Sequence, residues 1–158
     1  MSYENLLIES EEAAVSVYEK KLSRGIKGLY ADGIIWINKK LSNTEKRVIL
    51  AEELGHHYTT AGHILDQTTV QNRKQELRAR NWAYKKLVPL NKIVQAHKSG
   101  VRNRYELAEF LNVTEKFLDE AIKRYIEEYG LFKKVGEVTL CFQPLGLLNC
   151  FRLLNKKI

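Results

Sequence analysis

Seven consecutive residues, Ala51-Glu52-Glu53-Leu54-Gly55-His56-His57, constrain this chain more than any other stretch. They sit in a run with helical signals. Ser42 followed by Glu45 three residues on has capping-box spacing. Val48, Ile49, Leu50 and Leu54 supply the apolar positions. In a helix, residues i and i+4 point the same way, so Glu52 and His56 share a face. Glycine inside a helix costs about 1 kcal/mol relative to alanine. Gly55 ahead of two histidines is therefore unusual, and a small residue there would let another chain approach closely.

The remainder is compatible with one compact domain or a domain with a small appendage, because 158 residues at 44% hydrophobic can bury a core. No run of apolar residues is long enough to span a membrane. The first residues lack a basic region followed by an apolar block, so no secretory signal is expected. Cys141 and Cys150 belong to no CxxC and read as buried thiols, which together with the start of the chain points to the cytoplasm. A net charge of +7 favours nucleic acid or acidic partners without identifying either.

Residues 3–22 read as a helix with Leu6, Leu7, Ala14, Val17, Tyr18 and Leu22 on one face and Gly25 placed to end it. Two β-prone runs flank Asp32-Gly33, a strong hairpin signal. The capped helix is expected to end between residues 57 and 61. A loop follows over 62–69, then a helix over 72–87 that Pro89 terminates. Beyond it, Ile93, Val94 and His97 suggest a short helix. Helices over 104–110 and 115–129 flank Leu111-Asn112-Val113-Thr114, and Gly130 is placed to end the second. Residues 137–142 read as a strand before Pro144. The fold class is α+β, with a mostly helical core over 1–88 that carries a small sheet. Residues 89–158 form a helical appendage with a terminal strand, packed on the core.

The helical cluster has the chemistry of a metal site. Metalloproteases often use His-Glu-x-x-His, whose two histidines grip one zinc ion while the glutamate takes a proton from the bound water. Here Glu52 stands at the first ligand position, Glu53 at the base and His56 at the second ligand. A carboxylate oxygen binds zinc at similar length to an imidazole nitrogen. It also lowers the ion's net charge, so the water becomes less acidic and zinc is held less firmly. The third ligand is expected to be Glu76, on the next helix, a separation that resembles gluzincin-type peptidases. His57 is an alternative ligand to Glu52, or orients a second group, or stabilises an oxyanion. A shifted frame of Glu53, His57 and His63 puts Leu54 at the base position, and leucine moves no proton. The bland alternative is a polar helix face with ordinary ion pairs.

The chain resembles the ImmA/IrrE family of metallopeptidases. The resemblance rests, in order, on the hairpin Gly28-Leu29-Tyr30-Ala31-Asp32-Gly33-Ile34-Ile35-Trp36-Ile37-Asn38, on Glu45-Lys46-Arg47, on Ala51 to His57, and on Glu76-Leu77-Arg78-Ala79-Arg80-Asn81-Trp82-Ala83. The Glu-Glu-Leu-Gly-His-His form is closest to a phage- and prophage-like branch. The resemblance implies a zincin-like fold, Zn2+ as cofactor, Glu53 as base, and His56 and Glu76 as ligands, with Glu52 carried over by position only. It also implies site-specific cleavage of a phage or mobile-element transcriptional repressor, itself a helix-turn-helix protein. A non-catalytic, degenerate module that holds a repressor or another protein is the alternative. The strand over 34–38 is expected to pair with an extended substrate or to be ordinary sheet packing. Residues 105–118 read like a helix-turn-helix, in which Thr114 caps the second helix. That helix opens Glu115-Lys116-Phe117-Leu118-Asp119-Glu120, and acidic early positions disfavour a phosphate-lined groove. Support of the core or docking of the protein partner is the expectation there, ahead of DNA binding.

Overall fold

In the computed structural model, which describes residues 2–59 and 69–148, Asp32 and Gly33 both take left-handed backbone, with φ of 47° and 78°. Two successive positive-φ residues make the tight turn whose twist matches paired strands. β2 (Gly28–Ala31) and β3 (Ile34–Asn38) therefore run antiparallel, with Leu29 opposite Trp36 and Tyr30 opposite Ile35. Ile35 and Ile37 alternate into the core and are fully buried.

The second neighbour of β3 departs from the sequence expectation. The helix predicted over 3–22 stops early, as α1 (Tyr3–Glu12), and β1 (Ser16–Lys20) follows it. β1 pairs with β3 in parallel, giving the order β1-β3-β2. Ala14 takes φ 57°, which no α-helix continues through, and the Val15 N–H donates back to the Ser10 carbonyl at 2.8 Å. Val17 and Tyr18 are β-prone residues, and pairing with β3 outweighs their helical spacing. Gly25 accordingly ends no helix. It lies between β1 and β2 with φ 88°.

α2 (Asn43–Thr59) opens as its capping box requires. The Glu45 N–H donates to Ser42 Oγ at 3.3 Å, and the Ser42 N–H donates to Glu45 Oε2 at 3.0 Å. The loop expected over 62–69 lies outside the described residues as far as 68. α3 (Thr69–Leu87) begins three residues before the expected 72 and ends ahead of Pro89. α4 (Leu90–Lys98), α5 (Arg104–Leu111) and α6 (Glu115–Tyr129) follow. Asn112 takes left-handed backbone to close α5, and Thr114 Oγ1 accepts the Phe117 N–H to open α6. Gly130, with φ 77°, ends α6. The single strand expected near 137–142 is the middle of three: β4 (Phe132–Val135), β5 (Val138–Phe142) and β6 (Leu145–Leu148), antiparallel in that order. Lys133 and Lys134 hide β4 from an apolar pattern search. Cys141 on β5 is a buried free thiol, whereas Cys150 lies outside the described residues.

The chain is thus α+β. One buried cluster takes in Leu6 of α1, Ile35 of β3, Leu50 and Leu54 of α2, Leu87 of α3, Leu118 of α6 and Phe142 of β5. Residues on both sides of Pro89 therefore share a core. Arg47 of α2 crosses between them. It is 3% exposed, and its Nη1 donates to the carbonyls of Leu111 and Asn112 at the end of α5. A helix leaves those carbonyls unpaired, and its dipole favours a cation there. Thr44 Oγ1 adds a 2.9 Å bond to Asn112 Oδ1.

Candidate active site

α2 and α3 meet at Gly55. A Cβ there would lie 2.3 Å from the Ala79 carbonyl oxygen, so only glycine lets the two backbones touch. That contact brings the next residue, His56, to the turn of α3 that precedes Ala79. His56 Nε2 stands 3.3 Å from Glu76 Oε1, and Glu76 Oε2 stands 3.8 Å from Arg80 Nε. Two of the three expected ligands thus face each other across the helix pair.

A second glycine seats β2 on α2. A Cβ at Gly28 would lie 2.3 Å from Ile49 Cγ2 and 2.8 Å from Glu53 Oε1. The Glu53 carboxylate therefore rests against the backbone of β2. Of the two expectations for residues 34–38, ordinary sheet packing is the one the structure bears out, and pairing of this strand with a substrate is corrected. β3 (Ile34–Asn38) is the middle strand and is hydrogen-bonded on both edges, so it has no edge to offer. The reason is β1, which takes its second edge. β2 is the strand beside Glu53 whose outer edge is unpaired among the described residues.

The acids are crowded. Burial raises Glu53 to about 7, and the charges of Glu52 and Glu76 add to the rise. Burial likewise raises Glu52 to about 6, opposed by the Arg80 charge and reinforced by Glu120 and Glu76. Glu52 thus lies in the mixed field of Arg80 and Glu120, and Tyr84 Oη donates to Glu120 Oε2 at 3.3 Å. His57 turns another way. Its Nδ1 lies 2.9 Å from Tyr30 Oη on β2, and its ring meets Tyr58 edge-on, while Tyr58 stacks on Trp82. His63, the remaining member of the shifted frame, lies outside the described residues.

Imidazole and carboxylate donors suit zinc. The facing pair His56 and Glu76 fits such an ion in chemistry, with Glu52 one turn back on the same helix. Crowded, half-buried acids such as Glu52 and Glu53 are also what a divalent cation relieves. Among the described residues, no three His, Cys, Asp or Glu side chains are gathered around one point. Sequence reasoning missed Tyr30, Gly28 and Arg80 as parts of this site. Arg80 stands four residues after Glu76, a spacing that signals a helical ion pair. Tyr30 carried no signal of its own, because its partner is 27 residues away.

Residues 10–123 match the model of the M78 peptidases, described as the IrrE N-terminal-like domain. The chain belongs to this family. It is a protein of metallopeptidase fold, and the M78 match includes β1-β3-β2, α2, α3 and α6 as far as Lys123. The β4-β5-β6 sheet lies beyond the matched span. A search of curated proteins gave no match. No helix among the described residues is long and apolar enough to cross a membrane.

Proposed function

We propose that this M78 chain is a zinc-dependent endopeptidase that cuts a helix-turn-helix transcriptional repressor of a phage or mobile element. The observation that supports it most is the 3.3 Å approach of His56 to Glu76 across the α2–α3 contact. These two side chains would hold the ion, with Glu52 in the third position. Zinc bound there supplies an acidified water and a polarised carbonyl. Glu53 accepts the proton and delivers it to the leaving amine nitrogen. An extended substrate adds to the open edge of β2 through main-chain hydrogen bonds, which carries its scissile bond past Glu53. Gly28 keeps that part of β2 close to the base, since any side chain would push strand and carboxylate apart. Tyr30 and His57, joined at 2.9 Å, stand at the same strand and helix and offer hydrogen bonds to an oxyanion.

Glu53→Gln should reduce repressor cleavage by about 100-fold or more, with the circular dichroism spectrum unchanged. Cleavage at the wild-type rate by that variant would refute the base role. A second reading is favoured by the carboxylate of Glu52 at the first ligand position, under the influence of the Arg80 charge: a non-catalytic module of metallopeptidase fold that holds a repressor or another protein. It requires that purified protein carry no stoichiometric zinc, so elemental analysis separates the two.

A further inference from the structure

We propose that a cleft between the α4–α5 corner and the β5–β6 turn binds a small anionic amphiphile, a carboxylate on a short alkyl chain. The cleft encloses about 250 Å³. Sites for drug-sized ligands run to roughly 300–1,000 Å³, so the ligand is smaller than those. None of its lining residues belongs to the candidate active site, and its β-hairpin wall lies beyond the part of the chain that matches the family.

The cleft is polarised from floor to rim. Ile93 of α4, Leu107 of α5 and Leu140 of β5 line it and are buried, which makes an apolar floor. His97, Arg102 and Arg104 stand around it, and no aspartate or glutamate is among the lining residues. An alkyl chain fits the floor and an anion fits the rim.

The two arginines are not equivalent. Arg104 is engaged by Asp119 of α6. Arg102 has no carboxylate within ion-pair distance of its guanidinium among the described residues. Its one side-chain hydrogen bond there runs from Nη1 to the His97 carbonyl at 3.4 Å. The nearest acid in sequence is spoken for, because Glu106 accepts the Arg102 N–H at 2.8 Å and the Asn103 Nδ2–H at 2.8 Å as part of the α5 cap. Arg102 is therefore the cation free to meet a carboxylate, and its planar fork of donors matches one bidentately.

The test uses the full chain with sodium hexanoate, and 1-hexanol as the uncharged control, by calorimetry and methyl NMR. Hexanoate should bind once per chain in the millimolar range or tighter and shift the methyls of Ile93, Leu107 and Leu140. Hexanol should bind about tenfold more weakly or worse. Arg102 is exposed, so Arg102→Met should fold normally, lower hexanoate affinity by about tenfold and leave hexanol unchanged. Leu145→Trp should fill the cleft and block both. Equal binding of acid and alcohol, methyl shifts elsewhere, hexanoate binding untouched by Arg102→Met, or no saturation at millimolar concentration would each overturn the proposal.

Discussion

Glu52 is the residue on which the proposed chemistry turns. Its place in the chain, four before His56, was readable from helical spacing, whereas Glu76 was expected only from a separation that resembles gluzincin-type peptidases, and it stands 3.3 Å from His56. The electrostatic surroundings of Glu52 were not readable, because the charges of Arg80 on α3 and Glu120 on α6 act on it. In the proposed zinc shell a carboxylate at position 52 would add negative charge to that of Glu76. Glu52→His should therefore tighten zinc binding by about tenfold or more, measured by competition with a chromophoric chelator. An unchanged affinity would mean that position 52 lies outside the shell. His57 was left open between ligand, orienting group and oxyanion donor. The bond to Tyr30 directs it toward β2, a contact invisible to any local pattern.

At the scale of elements, the crossing of α2 and α3 sets the site. Gly55 leaves no room for a methyl group against the Ala79 carbonyl. Gly55→Ala gains up to about 1 kcal/mol of helix propensity but forces the helices apart, which costs about 1–3 kcal/mol in a packed interior. The expected net result is a lower urea midpoint together with weaker zinc binding, since His56 and Glu76 separate. A variant with both quantities unchanged would show that the contact is not needed. Strong local signals translated directly into elements: the Asp32-Gly33 turn, the Ser42–Glu45 box, and the helix ends at Thr114 and Gly130. β1 was misread because Val17 and Tyr18 also satisfy helical spacing, and only the presence of β3 beside them decides for a strand.

In the whole molecule, the buried cluster unites residues before and after Pro89, and Arg47 ties α2 to the end of α5. Unfolding should therefore be a single transition by tryptophan fluorescence and by far-UV circular dichroism. Arg47→Met should lower stability by about 2 kcal/mol, because two helix-end carbonyls lose a charged donor while buried. A midpoint equal to the wild type would mean that removing a buried charge offsets those bonds. The end of α1 was not legible in the linear order of residues, whereas the α+β class, the hairpin, the starts and ends of the capped helices and the types of residue that could hold a metal were. Each depends on neighbours within about one or two turns of chain. The middle position of β3, the open edge of β2, the rotation of His57 toward Tyr30 and the cationic rim of the α4–α5 cleft were settled by packing. Those features arise when segments far apart in sequence compete for the same surface, and local propensity holds no record of which one prevails.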